Sequence, residues 1–288
     1  MKFAYIKDHR NQFDVGAMCA VFGVTPAGFY AWLKRPESPR AARARELAEQ
    51  VRTVHHQTKG VYGSLKITKE LRHRKTIVNR KTVARLMQKL GIRSKVARKF
   101  RVRTTDSRHA NPVAPNVLDR KFATADAPNK VWGVDITYLH TDEGFLYLAG
   151  VMDLYSRRIV GWSMDDSMTT DLVESAFNAA LLSRKPAFGL LHHSDRGVQY
   201  TSARYRELLA RHGITPSMSR AGDCYDNAVV ESFWGKLKAE MVHHEHFATR
   251  ARARAAVFEY IEMFYNRTRL HAALDYLSPT AFEERSIR

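Results

Sequence analysis

An aspartate stands in the middle of the apolar run Val131-Trp-Gly-Val-Asp-Ile-Thr-Tyr138. The composition of that run predicts a strand at the centre of a sheet. Asp135 has the opposite parity to Trp132, Val134, Ile136 and Tyr138, so it points to the other face. A carboxylate there is costly unless it is paired or holds a cation. Two more acids occupy distinctive settings: Asp195 in His192-His-Ser-Asp-Arg-Gly197, and Glu231 in Asp226-Asn-Ala-Val-Val-Glu-Ser-Phe-Trp234.

Periodicity places these acids on different elements. Strands are expected over 132–138, 145–152 and 158–164, with turns at Thr141-Asp-Glu-Gly144 and Asp153-Leu-Tyr-Ser156. A helix over 169–183, a short strand over 189–193 and a helix over 202–212 follow. A fifth strand over 214–218 and a helix over 227–241 complete a mixed α/β sheet of ribonuclease-H-like type. On the last helix Asn227, Glu231 and Lys238 share one face at 3.6 residues per turn. An acid, an amide and a cation on one stripe suit metal binding, phosphate positioning and DNA contact. Three close carboxylates repel one another, so their convergence calls for a bound cation. Magnesium is the natural choice, because it takes oxygen ligands and shares them with substrate phosphates. Two such ions can act on the attacking and the leaving oxygens of a phosphoryl transfer.

The rest of the chain supplies a partner. The 288 residues carry 47 Lys+Arg against 29 Asp+Glu, a formal net charge of +18, which favours a polyanion. From Lys66 to Arg108 there are 16 basic residues and two acids, Glu70 and Asp106. Helices over 66–73 and 79–90 are expected there, the second capped by Asn79 and apolar along Val83, Leu86, Met87 and Leu90. Arg80, Lys81, Arg85 and Lys89 cover its remaining surface, as phosphate contacts of a helix-turn-helix would. An earlier helix-turn-helix-like stretch includes Thr25-Pro26 as a cap and first helical residue, and Pro36 and Pro39 mark a boundary after it. The expected segments are a helix-turn-helix-like 1–45, a basic DNA-binding 46–103, a linker 104–128, a catalytic core 129–245 and a helical extension 246–288. Cys19 and Cys224 are the only cysteines, which argues against a disulfide framework or a cysteine zinc site. Neither a membrane-length apolar run nor a signal-peptide pattern is evident, so a cytoplasmic protein without a membrane partner is expected.

Several motifs together resemble a known family. Trp-Gly-x-Asp-x-Thr-Tyr, His-Ser-Asp-Arg-Gly-x-Gln-Tyr and Asp-Asn-Ala-x-x-Glu-Ser-Phe, with 35 residues between Asp195 and Glu231, look like the DDE catalytic core of retroviral-type integrases. Gly60-x-Tyr-Gly63, Thr82-Val-Ala-Arg-Leu-Met87, Met152-Asp-Leu-Tyr-Ser-Arg-Arg-Ile-Val-Gly-Trp162, Tyr265-Asn-x-x-Arg-x-His271 and Ser278-Pro279 extend the likeness over nearly the whole chain. It resembles the second-frame product (OrfB) of insertion-sequence-3 family transposases. The resemblance implies that Asp135, Asp195 and Glu231 are catalytic and metal-binding, with Mg²⁺ as cofactor (two ions, Mn²⁺ as a substitute). It also places Lys238 near the DNA end and leaves Asp153 outside the metal site. Ser64-Leu65-Lys66 departs from the Arg-bearing form common at this point of the family pattern.

The expected activity is cleavage and strand transfer at the terminal inverted repeats of an insertion sequence. The resemblance further implies double-stranded DNA at the element ends and target, a homo-oligomer in the synaptic complex, and a first-frame (OrfA) partner or fusion. Two alternatives are a non-catalytic DNA-binding regulator derived from a transposase and a ribonuclease-H-like nuclease.

Overall fold

The computed structural model describes residues 1–95, 111–119, 124–220 and 227–287. The basic stretch Arg98–Arg103, much of the expected linker, Cys224 and Asp226 lie outside the described residues. Two compact units, Met1–Thr53 and Val54–Arg288, divide the chain.

The first unit opens with α1 (Lys2–His9), α2 (Val15–Phe22) and α3 (Pro26–Lys34). Asp14 caps α2 by accepting from the Ala17 amide at 2.8 Å, and Gly23 ends it in the left-handed region at φ 60°. Thr25 caps α3, whose first residue is Pro26, so α2 and α3 meet at 105°, as in a helix-turn-helix. Buried Ile6, Met18, Cys19 and Phe29, with Phe3 and Trp32 beside them, form the core of this unit. Helix α4 (Pro39–Gln57) starts under a Ser38 cap, with the Ala41 amide donating to Ser38 Oγ at 3.2 Å. Pro39 thus begins a helix instead of breaking one, since a proline at the first helical position gives up no hydrogen bond. No single described helix is long and apolar enough to cross a membrane.

The second unit contains the basic helix pair α5 (Ser64–His73) and α6 (Arg80–Lys89). Asn79 Oδ1 accepts from the Thr82 amide at 2.8 Å, and buried Ile67, Leu71, Val83 and Met87 form the apolar sides of the pair. A five-stranded sheet in the order β3-β2-β1-β4-β5 follows, made of β1 (Val131–Thr141), β2 (Gly144–Asp153), β3 (Ile159–Asp165), β4 (Leu191–Ser194) and β5 (Thr215–Met218). β1–β2 and β2–β3 are antiparallel hairpin neighbours, whereas β4 pairs parallel with β1 and with β5. The parallel pairings need crossovers, and helices supply them: α7 (Thr170–Arg184), the short α8 (Val198–Thr201) and α9 (Ala203–Arg211).

Both faces of the sheet are covered. Trp132, Val134 and Ile136 join Val160, Phe177, Leu208 and Tyr205 in one core. On the opposite face α10 (Ala228–Glu240) lies so close that a Cβ at Gly133 would stand 2.8 Å from Val230, and one at Gly150 would stand 2.8 Å from Trp234. Described residues of the expected linker run beside β5, with the Val117 and Leu118 amides donating to Ser217 Oγ at 3.0 and 3.1 Å. The tail consists of α11 (Arg250–Phe258), a π-helical continuation (Glu259–Tyr265) and α12 (Pro279–Ile287). It is fastened to the core. Asn266 pairs with both backbone groups of Ile159 at 3.0 and 2.9 Å, and Glu283 accepts from Ser156, Arg158 and Arg184.

Candidate active site

Strand pairing sets the site. In the parallel pair β1–β4, Val131 faces Leu191, Trp132 faces His192 and Gly133 faces His193. Continuing that register by two residues brings Asp195, just past β4, level with Asp135. Helix α10, lying over the Gly133 side of the sheet, carries Glu231 in its first turn. Three separate elements therefore bring the three acids together.

The acids lie within electrostatic reach of one another. Burial pushes the Asp135 carboxyl well above the usual range, and the charges of Asp195 and Glu231 push it further. Two donors act against this rise: the Ile136 amide to Oδ1 at 2.8 Å and the Trp234 indole Nε1 to Oδ2 at 3.1 Å. Glu231 is likewise raised, by burial first and then by Asp195. Asp195 Oδ1 accepts from the Gly197 amide at 2.9 Å, a turn that fixes the carboxylate where the strand ends. The adjacent histidines are core groups. His192 is buried against the Tyr205 hydroxyl at 2.9 Å, and His193 contacts Ser217 and Ser219 at 2.9 and 3.1 Å.

Among the described residues no three His, Cys, Asp or Glu side chains close on one point as a single-ion cage would. Asp135 and Asp195 are half-buried and Glu231 is exposed, so the set is open on one side. An all-carboxylate set of this kind fits a hard divalent cation that keeps positions for water and phosphate oxygens.

Lys238 is 8% exposed, with its Nζ 5.1 Å from the centre of the Tyr138 ring. Burial pushes its ammonium down while Asp135 pulls it up, which places the two within electrostatic reach. It lines a cavity of about 310 Å³ with Tyr138, His140, Asp142, His243 and Phe247. Asn227 lies at the start of the same helix and faces inward. It is 4% exposed and its amide donates to the Val134 carbonyl at 3.4 Å. Close packing of α10 on β1 turns this residue inward, so it ties helix to strand. Arg80, Lys81, Arg85 and Lys89 are all exposed on α6. Asp153 is fully buried, its oxygens accepting from the Asn129, Tyr155 and Ser156 amides at 2.6, 2.9 and 3.1 Å. It holds the β2–β3 turn.

Two residues near the acids stand inside the sequence motifs without an assigned role. Trp234 is the indole donor to Asp135, and the three-residue spacing from Glu231 was its only signal. Tyr200 is buried, its hydroxyl has no partner among the described residues, and Asp135 and Asp195 add to the burial that raises it.

The chain is similar to known proteins. An "Integrase core domain" model matches residues 125–224, a second model of that description matches 231–287, and an "HTH-like domain" model matches 42–100. The chain is 46% identical over 268 residues to the 31 kDa protein of insertion element IS600 from Shigella sonnei, covering 93% of this chain and 98% of that one. A solved HTLV-2 integrase catalytic core with magnesium is 16% identical, covers 55% of this chain and 97% of that one, and gives a TM-score of 0.43. Transposase InsF for insertion sequence IS3A from Escherichia coli is 43% identical over 289 residues, spanning 100% of both chains. With that full-length match and the integrase core in place, the chain belongs to the insertion-sequence-3 transposase family and is a DNA transposase.

Proposed function

We propose that Asp135, Asp195 and Glu231 are the catalytic carboxylates of this transposase, acting at the terminal inverted repeats of its element. The observation that carries the assignment is the convergence of the three acids from β1, the end of β4 and α10, each within electrostatic reach of another. Magnesium at this set, two ions with manganese as a substitute, would supply Lewis-acid activation of the attacking oxygen and stabilisation of the leaving one. Asp135 and Asp195 present oxygens from the rigid sheet, and the amide and indole bonds to Asp135 hold its carboxylate plane. Glu231 approaches from the solvent side, where the substrate phosphate enters. Lys238 offers a cation to the DNA end, and Arg80, Lys81, Arg85 and Lys89 grip the duplex backbone.

The reaction has two in-line displacements. Water attacks the phosphodiester at the element end, its oxygen bonds to phosphorus, and the 3′-oxygen leaves and takes a proton. The freed 3′-hydroxyl then attacks a second phosphodiester, loses its proton and displaces another 3′-oxygen. No covalent protein intermediate is needed.

The proposed division of labour is 1–45 and 46–103 for DNA binding, 104–128 as linker, 129–245 for chemistry and 246–288 as a brace. Synapsis of two ends requires an oligomer, and a first-frame partner or fusion would add end recognition. Labelled terminal-repeat DNA incubated with magnesium tests the reading. The parent should nick and join, and Glu231→Gln should bind without doing either. Cleavage of generic hybrids without joining would favour a nuclease, and binding without chemistry by both proteins a regulator.

A further inference from the structure

Away from the acids, α5, α10, the β2–β3 turn and the tail bring five basic side chains together. Arg269 is 5% exposed and forms a two-pronged ion pair with Glu240, the last residue of α10, through Nε at 2.8 Å and Nη2. Glu240 also accepts from the Tyr260 hydroxyl at 2.8 Å, so its charge is already engaged. Three further cations, Lys66, Arg157 and Lys236, are half-buried nearby, and none has a carboxylate within ion-pair distance among the described residues. Among the described residues Lys236 donates to Ser232 Oγ alone, at 2.9 Å, and Lys66 sits 5.2 Å from the centre of the Tyr62 ring. Asp153 lies within electrostatic reach of Arg157, but its oxygens hold the turn. Arg157 itself adopts φ 62°, a conformation that non-glycine residues rarely take outside functional sites or tight turns. Near these cations His271 is 6% exposed, and its Nε2 has no hydrogen-bond partner among the described residues.

These groups feel one another. Burial first, then Arg269 and Lys236, bring the Lys66 ammonium down to about 8. Lys236 falls to about 8 through burial, Arg269 and Arg157, against the opposing pull of Glu240. Crowded, partly desolvated cations and an orphaned buried nitrogen are costly unless an anion joins them.

We propose that Lys66, Arg157, Lys236, Arg269 and His271 form a binding site for a backbone phosphate of the duplex held by the helix-turn-helix. The position of Lys66 identifies the occupant. It stands on α5, the first helix of the pair, and in a helix-turn-helix the first helix crosses the DNA backbone while the second enters the groove. The bound phosphate is not the scissile one. Lys236 follows Glu231 by five residues on α10, which turns it roughly 140° around the helix from the acids. Tyr62 completes the seam, its hydroxyl donating to the Thr268 carbonyl at 3.0 Å and accepting from the Leu270 amide at 2.7 Å. A phosphate here would therefore rest on helix-turn-helix, catalytic helix and tail at once.

The site deepens the transposase reading, and its test is separable from it. DNA affinity would be measured across a salt series by fluorescence anisotropy for the parent, Arg157→Gln and the pair Lys66→Gln/Lys236→Gln. Loss of one phosphate contact should lower the slope of log affinity against log salt by about one. Because removing a crowded cation relieves repulsion, melting of the free variants should stay level or rise. An unchanged slope with a lower melting temperature would overturn the site and leave a structural cluster. In a second arm, inorganic phosphate is compared with chloride at equal ionic strength. Stabilisation of the parent by phosphate, with no change of DNA slope in the variants, would assign the site to a free anion and overturn the duplex as its ligand. Backbone contacts are blind to sequence, so the slopes can also be read on an unrelated duplex. Failure of the parent to act on terminal repeats would then count against the transposase site alone.

Discussion

Asp135 is held between two donors and two like charges. Its carboxyl is raised above the ordinary range, so its contribution to stability is full below about 4 and is lost as pH rises through the raised folded-state value. In the metal-free protein this contribution, read as the difference between parent and Asp135→Asn, should therefore fall from acid toward neutral pH, and magnesium should restore it. Replacing the charge by an amide removes the repulsion. Asp135→Asn is expected to raise metal-free stability by on the order of 1 kcal/mol and to abolish stabilisation by magnesium. Thermal scans across pH, with and without magnesium, check both outcomes; a destabilised variant that still responds to the metal would contradict the assignment.

At the scale of elements, close approach decides the architecture. Helix α7 lies against β3 at Gly161, where a Cβ would stand 2.4 Å from the Ala176 carbonyl oxygen and 2.5 Å from the Ala180 amide. Helix backbone cannot retreat as a flexible side chain could. Gly161→Ala should cost about 2–3 kcal/mol by forcing α7 from the sheet, which urea denaturation would register. Binding of the terminal-repeat duplex by the folded fraction should persist, since α6 is untouched.

For the whole second unit, the tail acts as a clamp. Glu283 is 3% exposed and takes the Ser156 hydroxyl at 2.7 Å, Arg158 at 2.9 Å and Arg184 at 2.9 Å. These donors come from the β2–β3 turn and from α7. Truncating one partner of a buried ionic cluster leaves the other charges uncompensated, so Glu283→Ala should cost about 3–5 kcal/mol. Calorimetric unfolding tests this; a change below 1 kcal/mol would mean that the apolar contacts of α12 hold the tail unaided.

Local chemistry determined much of this protein. Alternation marked the strands, Asn79 and Thr25-Pro26 marked helix starts, and the odd parity of Asp135 placed a carboxylate on the sheet's second face. These features depend on neighbours a few residues apart, which a sequence displays directly. Tertiary structure alone decided the rest. Asn227 and Glu231 share a helical stripe, yet α10 packs so tightly on β1 that the first is buried and the second exposed. Tyr200 came to lie near two acids, and Tyr62 to bond with the loop around Arg269, 206 residues away at Thr268. Such contacts follow from how elements stack and cross, and no local periodicity encodes which distant side chains will share a desolvated space.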